Sequence, residues 1–284
     1  MKPRRTSERR NGTRRGPDRR DEPLWITGRR AVAEAIRGGL AREVLVGGWV
    51  RSTPALRGVL DAAEQAGLEP REVPRSTLDG MGTDHHGVAA RVHLPRELRE
   101  SDILQRSFGP RDILVVLDGV TDPHNLGAAA RAAEAAGVRV MVTRERRSAG
   151  ISPAAIRASA GALLHLPLAR VTNLRRTLEN LKDRGVTVIG LDGSARATIY
   201  DAPGPESAAA LVIGSEGAGL SRLVREGCDI LVSLPMRGRV ESLNASAALA
   251  AALFAYVLPS MDRQSERVDS EDAGVAQSGS ASDL

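Results

Sequence analysis

Residues 234–244 read LPMRGRVESLN and lie between an apolar strand and an apolar helix. The proline and the glycine favour a loop, and the Glu, Ser and Asn side chains can bind a ligand. Two further polar stretches follow apolar strands: DGVTDPHNLGAAAR at residues 118–131 and GSEGAGL at residues 214–220. Because ligands of parallel sheets bind at the carboxyl ends of the strands, we expect these three stretches to form one site.

The composition of the 284-residue chain limits its class. The chain is long enough for two domains, and no apolar run approaches the ~20 residues of a membrane-spanning helix, so we expect no membrane partner. The N-terminus is basic with no apolar segment after it, which argues against a secretory signal. Cys228 is the only cysteine, which excludes an intrachain disulfide and suits a reducing cytoplasm. The five histidines lack metal-ligand spacing, and we predict no metal site.

Basic and acidic residues are unevenly distributed along the chain. Residues 1–23 hold nine Lys or Arg against four Asp or Glu, whereas residues 260–284 hold two Arg against six acidic residues. Neither segment has apolar periodicity, so we predict a disordered basic tail and a disordered acidic tail. The basic tail either contacts RNA or only keeps the chain soluble. The formal net charge of +5, carried almost entirely by arginine, favours a polyanionic partner such as nucleic acid.

A small α/β domain is predicted over residues 24–95. Its first helix has apolar residues at helical spacing, from Ala31 to Ile36, and ends at a pair of glycines. The pair His85-His86 is either catalytic, RNA-contacting or part of a polar turn before a strand, and we favour the turn. Residues 96–108 are charged and polar, and they are predicted to be a linker.

A second domain is predicted over residues 109–259, with a parallel sheet and helices on both of its faces. Strand and helix patterns alternate here, as they do in α/β folds, and the 17 or so residues after 191 are predicted to be a loop. The predicted strands are 113–117, 138–142, 163–168, 186–191, 210–213 and 230–234, and the predicted helices are 126–136, 153–159, 173–184, 220–226 and 242–257.

The first two polar stretches each supply candidate site residues. Asn125 lies near the start of a helix, and Arg131 follows six residues later, where it can grip a phosphate or polarise a ribose hydroxyl. The alternative is a helix cap with a surface arginine. Glu216 can orient that arginine or accept hydrogen bonds from a ligand, and the alternative is a tight turn with a solvated Glu. The glycines of GSEGAGL match neither a P-loop nor GxGxxG, which argues against ATP and NAD.

Ser242 and Asn244 are the candidates in the third stretch. Both are predicted to cap the final helix and to point polar groups toward the other two loops. N-capping by Ser242 alone is the simpler interpretation. It leaves Asn244 unexplained, because that residue would lie in the first helical turn, where Asn is unfavourable.

Three motifs taken together resemble the SpoU/TrmH family of RNA ribose 2′-O-methyltransferases, within the SPOUT class. They are HNLGAAAR at 124–131, IGSEGAGL at 213–220 and the stretch at 234–244. The first domain resembles the family's substrate-binding domain, which is similar to ribosomal protein L30e. Its markers are ITGRRAV at 26–32 and HGV at 86–88, and SAGA at 159–162 is also family-like. Departures are few: Leu234 and Ala245 stand where members often have Ile and Val.

The resemblance implies an α/β fold with a deep trefoil knot in its C-terminal parallel-sheet domain, and a homodimer. It implies S-adenosylmethionine as methyl donor, bound by Gly214, Leu234 and Leu243. Arg131 is then the main candidate to assist the ribose 2′-oxygen, either as a base or as an electrostatic stabiliser. The residues expected to hold it and the donor in line are Asn125, Glu216, Ser242 and Asn244.

The substrate implied by the resemblance is RNA rather than DNA, namely a guanosine of 23S rRNA. Methylation of another rRNA site, of the antibiotic-resistance type, or of tRNA stays open, because the motifs are shared. A non-catalytic RNA-binding protein on the same fold is a further alternative, against which the intact set of polar motif residues argues.

Overall fold

The computed structural model describes residues 23–257 apart from 52, 83, 205, 240 and 241, and these residues form two β-sheets flanked by helices. The tails predicted over residues 1–23 and 260–284 lie outside the described residues, Pro23 excepted. In the part of the chain that is described, no helix has both the length and the apolar character needed to cross a bilayer.

The first sheet belongs to the N-terminal domain. Its elements are β1 (Leu24–Thr27), α1 (Arg29–Arg37), β2 (Ala41–Gly47), α2 (Pro54–Gln65), β3 (Arg71–Val73), α3 (Arg75–Asp79) and β4 (Val88–Val92). The strand order is β1-β4-β2-β3, with β4 antiparallel to both of its neighbours. Val32 and Ile36 of α1 are at most 2% exposed, because their helical spacing points both side chains into the core.

His85 lies in a polar turn before β4, as the sequence analysis favours. Its Nδ1 accepts a hydrogen bond from the Gly87 amide at 2.8 Å, and its Nε2 lies 3.0 Å from Oδ1 of Asp79. The first contact makes Nδ1 an acceptor, so a neutral ring carries its proton on Nε2 and donates it to the carboxylate. Since the ring is 6% exposed and both nitrogens are occupied, His85 stabilises the turn.

The second sheet has eight parallel strands in the order β10-β12-β9-β11-β6-β7-β8-β5, which confirms the predicted parallel sheet. All six residues of Ile113–Asp118 are buried, as expected for a strand covered on both faces. Its elements are β5 (Leu98–Arg99), α4 (Glu100–Leu104), β6 (Ile113–Asp118), α5 (Pro123–Ala135), β7 (Val140–Arg144), α6 (Pro153–Ala158), a 3₁₀ turn (Ala162–Leu164), β8 (Leu168–Val171), α7 (Leu174–Lys182), β9 (Thr187–Leu191), β10 (Ala197–Thr198), a second 3₁₀ turn (Ile199–Asp201), β11 (Ala209–Gly214), α8 (Arg222–Arg225), β12 (Ile230–Ser233) and α9 over residues 245–257.

The apolar run at residues 163–168 is not a strand, contrary to the sequence prediction. It begins with the first 3₁₀ turn, and the strand follows at Leu168–Val171. Leu163, Leu164 and Leu166 are nevertheless at most 5% exposed, because the turn packs them into the core. A short apolar run signals burial in either case, so its composition could not distinguish the two structures.

Residues 96–108 are likewise more than a linker. β5 pairs with β8 and extends the second sheet by one edge strand, and α4 follows it directly. Ile103 of α4 is completely buried, in the same apolar cluster as Leu174 and Leu178 of α7. The sequence does not reveal this packing, since the segment has only four apolar residues among its charged and polar side chains, too few to establish a helical or strand period: Leu98, Ile103, Leu104 and Phe108. The predicted loop after residue 191 is interrupted in the same way by β10 and the second 3₁₀ turn.

The thiol of Cys228, the single cysteine, is unreactive. Its Sγ donates to the carbonyl oxygen of Val224 at 3.3 Å. Burial, and to a smaller extent the neighbouring Asp229 carboxylate, raises the pKa of the Cys228 thiol to about 12. The thiol therefore stays protonated at neutral pH and is a poor nucleophile or metal ligand.

The substitution Ile103→Ala distinguishes a packed segment from a linker. Removing a completely buried Ile side chain should lower the free energy of unfolding by about 2–5 kcal/mol, measured by urea denaturation. The matched control is Leu223→Ala, where the side chain is 53% exposed and the change should stay within about 0.5 kcal/mol. Equal, small effects of both substitutions would mean that residues 96–108 do not pack as described.

Candidate active site

The three polar loops meet at one edge of the second sheet. β6 and β11 are direct neighbours, and their registers place Gly214 opposite Asp118, so both strands end together. β12 lies two strands from β11, on the other side of β9. Because all of these strands are parallel, the loops that follow them emerge on the same side of the sheet, as the sequence predicts.

Asn244 connects the three loops through its side chain. Its Nδ2 donates to Oδ1 of Asn125 at 3.0 Å and to Oε2 of Glu216 at 3.2 Å. One amide group thus holds the start of α5, the loop after β11 and the start of α9. We call Asn125, Glu216 and Asn244 the amide junction.

The same residue begins the final helix. Oδ1 of Asn244 accepts from the amide of Ser246 at 3.0 Å and from its hydroxyl at 2.6 Å, and the Asn244 carbonyl accepts from the Ala248 amide. These contacts are those of an N-cap residue. The prediction of a helix from Ser242 is therefore wrong, since α9 begins at residue 245 and Asn244 is its cap. Asn is favourable there, whereas it would not be inside the helix.

Asn125 is not a helix cap. Asp122 caps α5, with its carboxylate accepting from the His124 amide at 2.9 Å and Pro123 in the first turn. The side chain of Asn125 is thereby left for the junction. This result excludes the alternative interpretation in which Asn125 serves only as the cap of a helix.

The loop of Glu216 is a tight hairpin. Ser215 and Gly219 exchange two backbone hydrogen bonds, at 2.9 and 3.2 Å. A Cβ atom on Gly214 would overlap the backbone of Gly219, so only glycine fits at the end of β11. Gly214 is required because the hairpin closes tightly against it, and the closed hairpin places Glu216 at the junction.

A cavity of about 290 Å³ lies beside the junction. All three residues expected to bind the cofactor line it, together with Glu216 and Ser242. The rest of its wall is largely apolar, with backbone groups of the hairpin and of the last loop at its rim. Its lining residues include Gly214, Glu216, Leu234, Ser242, Leu243 and Asp192.

Asp192 is a lining residue that the sequence analysis missed. It follows β9, the strand between β11 and β12, so its loop shares their edge. Burial acts to raise the pKa of its carboxyl, but the hydrogen bonds from Ser194 and the guanidinium of Arg225, 3.0 Å away, outweigh burial and leave the pKa below its ordinary value. The carboxylate is ionised at neutral pH. The sequence feature that could have identified Asp192 is an Asp-Gly pair directly after a strand.

Asp118 is a second residue that was missed. It is 3% exposed, its Oδ2 accepts from the Ser221 amide at 2.7 Å, and its Oδ1 lies 2.6 Å from the guanidinium of Arg144. Arg144 also donates to the Ser221 hydroxyl at 3.0 Å. A buried carboxylate requires such partners, and here they fix the ends of β6 and β7 to the end of the hairpin.

Arg131 does not join the amide junction. Six residues of α-helix advance the chain by about 9 Å and turn it by about 120° from the direction of Asn125. Arg131 is exposed and lines a different cavity, of about 560 Å³, between α1 and α5. The expectation that the other site residues hold Arg131 is therefore not met within one chain.

The described residues contain no cluster of three or more His, Cys, Asp or Glu arranged to hold a metal ion. The polar groups at the junction are amides, a carboxylate and backbone groups. Such groups bind organic ligands by hydrogen bonds.

Comparison with protein families gives two adjacent matches. Residues 112–254 match the SpoU rRNA Methylase family, and residues 25–98 match the family described as RNA 2′-O ribose methyltransferase substrate binding. The two ranges correspond to the second and the first sheet.

Individual relatives agree with these matches. The chain is 41% identical to the 23S rRNA (guanosine-2′-O-)-methyltransferase RlmB of Xanthomonas campestris, over 82% of this chain and 95% of that protein. It is 41% identical to an uncharacterized tRNA/rRNA methyltransferase of Mycobacterium avium, over 83% of this chain and 77% of the relative. The crystal structure of the SpoU methyltransferase AviRb from Streptomyces viridochromogenes, in complex with AdoMet, superposes with a TM-score of 0.69 at 26% identity, over 86% of this chain and 92% of AviRb.

Two substitutions of Asn244 separate its two tasks. Asn244→Ala removes the N-cap and should lower the free energy of unfolding by about 1 kcal/mol. Asn244→Asp keeps the cap, because Asp caps helices as well as Asn does, but it cannot donate to Asn125 or Glu216. Both variants should bind S-adenosylmethionine more weakly, measured by calorimetry. Asn244→Ala loses stability through the missing cap, whereas Asn244→Asp loses it through repulsion between its carboxylate and that of Glu216, and this second loss should shrink at high salt.

The control is Asn173→Ala, which removes the N-cap of α7, where Asn173 accepts from the Arg176 amide. It should lose similar stability and retain donor affinity. Unchanged donor affinity in both Asn244 variants would contradict a role of the amide junction in forming the cavity.

Proposed function

The chain belongs to the SpoU rRNA methylase family, and we propose that it transfers a methyl group from S-adenosylmethionine to a ribose 2′-hydroxyl of RNA, specifically to a guanosine of 23S rRNA in the cytoplasm. The observation that carries the proposal is the amide junction. It joins one residue from each of the three family motifs beside a single cavity.

The cavity fits S-adenosylmethionine in its chemistry. Leu234 and Leu243 offer apolar contact to a purine ring, and the backbone around Gly214 offers hydrogen bonds to its edge. Glu216 and Asp192 place carboxylates at the cavity, which suits a ligand bearing a sulfonium and an ammonium group. When bound, the donor supplies a methyl group that is electrophilic because it is attached to the sulfonium.

The nucleophile is a ribose oxygen whose hydroxyl has a high pKa and needs assistance. Arg131 is exposed and makes no hydrogen bond or ion pair with any residue in the described ranges, so its guanidinium is available to RNA. Because a guanidinium stays protonated, it donates hydrogen bonds and stabilises the developing negative charge on the oxygen. Glu216 and Ser242 line the wall against which the donor is held, and Asn244, bonded to Asn125, holds Glu216 in place.

We infer a homodimer in which Arg131 of one protomer serves the donor cavity of its partner. Within one chain Arg131 and the donor cavity lie apart, as their separate linings indicate. Met236 and Leu243, which line the donor cavity, are each about two-fifths exposed, and so is Phe254 of α9. Exposed apolar side chains of this size suit a protein interface. The trefoil knot implied by the family stays a prediction.

The direct test is methyl transfer from labelled S-adenosylmethionine to unmodified 23S rRNA. The methylated position is then mapped by the resistance of its 3′ phosphodiester to alkaline cleavage. One protected guanosine is the expected result. Protection at another rRNA position or in tRNA would retain the reaction and change the target, and donor binding without transfer to any RNA would support the non-catalytic alternative.

The substitution Arg131→Ala should reduce the rate of methyl transfer by roughly 10²–10³-fold. This is the range seen when one hydrogen-bond donor to a developing oxyanion is removed. Donor affinity should stay near that of the wild type, because Arg131 does not line the donor cavity. Arg184→Ala is the matched control, since Arg184 is exposed between α7 and the start of β9, at the opposite edge of the sheet. Transfer near the wild-type rate would exclude this role of Arg131.

Mixed dimers test whether the site is shared between protomers. Arg131→Ala and Asn244→Asp chains are co-expressed, so that about half of the dimers contain one of each. In these dimers one site combines an intact Arg131 with an intact junction, and transfer should recover to about a quarter of the wild-type value. A mixture that stays as inactive as its parents would mean that each site belongs to one protomer.

A further inference from the structure

The larger cavity lies between the two domains and has no part in donor binding. Its volume is about 560 Å³, and both domains contribute to its walls. We call it the interdomain cleft. On one side is α1 with the start of α2, and on the other are α5 and the segment after α6. Its charged and titratable lining residues include Arg29, Arg30, Glu34, Arg37, Arg131 and His165.

Two N-terminal sequence markers meet at this cleft. Arg29, from the first marker, donates through Nε to the carbonyl oxygen of His86, from the second, at 3.0 Å. It also donates through Nη1 to Oγ1 of Thr53 at 3.1 Å. The guanidinium is therefore held in one orientation at the cleft, which lowers the entropy that it would lose on binding a ligand.

A third marker, residues 159–162, forms the facing wall. Its residues are small, which leaves the space open. Gly161 has φ +98°, and a Cβ atom there would lie 2.7 Å from Cβ of Glu34, so the two domains approach closely at this point. His165 Nε2 lies 3.3 Å from the Glu34 carboxylate and adds a polar contact across the boundary. The cleft is thus built by specific residues of both domains.

The charge of the cleft is positive, because four arginines line it against two carboxylates, those of Glu34 and Glu134. The carboxylate of Glu34 is already paired with Arg37, at 2.6 Å. Arg30 and Arg131 are exposed and, among the residues that the structure describes, have neither an ion pair nor a hydrogen-bond acceptor. Arginine forks bind phosphate oxygens in a bidentate way. Among the described residues that line it there is no Phe, Tyr or Trp on which a base could stack, so the cleft suits a sugar-phosphate backbone better than an unstacked base.

We propose that the RNA backbone crosses from the N-terminal domain to the methyltransferase domain through the interdomain cleft, where Arg30 and Arg131 contact phosphates from opposite walls. This inference rests on the proposed function, because it takes RNA as the substrate. Arg131 then has two related tasks, binding the backbone and facing the reacting ribose. Arg30 binds RNA without touching the donor or the reacting oxygen.

The test measures binding of full-length 23S rRNA transcript to the whole protein by filter retention, over a series of salt concentrations. Arg30→Gln should lower the slope of log affinity against log salt by about 0.7–0.9, the value for one lost phosphate contact. Arg30→Lys should keep most of the slope, because Lys also binds phosphate. Arg42→Gln, at an exposed arginine of β2 that does not line the cleft, should leave the slope unchanged.

Two results would overturn the proposal. One is an unchanged slope in Arg30→Gln, and the other is an equal loss in Arg42→Gln, which would indicate diffuse attraction to the whole domain. The affinity for S-adenosylmethionine is measured in parallel and should be the same in all variants, which shows that folding is intact. Failure of the proposed function is distinguishable, since a wild-type protein that binds RNA without methyl transfer would still give the slopes.

Discussion

The hydrogen bonds of the Asn244 side chain are the constraint on which the site depends. Its oxygen caps the final helix, and its nitrogen holds Asn125 and Glu216. An amide is suited to this position because it has an acceptor and a donor at the two ends of one planar group. The capping contact holds the Asn244 side chain in one orientation. That side chain in turn holds two loops whose outer ends are more than a hundred residues apart along the chain. Loop order and helix formation are thereby coupled.

The parallel sheet makes this junction possible. β6, β9, β11 and β12 run in one direction, so residues that are distant along the chain emerge at the same edge. The buried Asp118 reinforces the edge from below, since its carboxylate binds the end of the hairpin and the guanidinium of Arg144. Removing a partner from such a buried charge is more damaging than removing a surface ion pair, because the charge is left without solvation. The donor cavity is therefore supported by a second layer of contacts that does not touch it.

The two domains are placed by contacts of a different kind. Arg157 of α6 donates to the Thr27 hydroxyl at 3.0 Å, and Gly161 permits a close approach to α1. One apolar cluster is continuous from the first domain into the second. Arginines of both domains consequently line the one cleft between them. The interdomain cleft and the cavity beside the amide junction are separate surfaces of one chain, and Arg131 lines the cleft.

Sequence alone determined the parts of this protein that follow from local pattern. Strand–helix alternation predicted the parallel sheet, and the three polar stretches predicted which loops would meet, because parallel strands end at a common edge. Asn125, Glu216 and Asn244 could be named before their contacts were known. Burial in the segment around Ile103 could not be predicted, since its four apolar residues are too few and too irregularly spaced among polar and charged ones to establish a period.

Only the tertiary structure decided the tasks of individual residues. It chose Asn244 rather than Ser242 as the cap of α9, left Ser242 at the cavity, and separated Arg131 from the junction by the turn of α5. It also added Asp118 and Asp192, whose carboxylates look ordinary in the sequence. The physical reason is that capping, burial and pairing depend on distances between atoms far apart along the chain. A linear pattern records which side chains are available, and the packed fold determines which of them come within hydrogen-bonding distance.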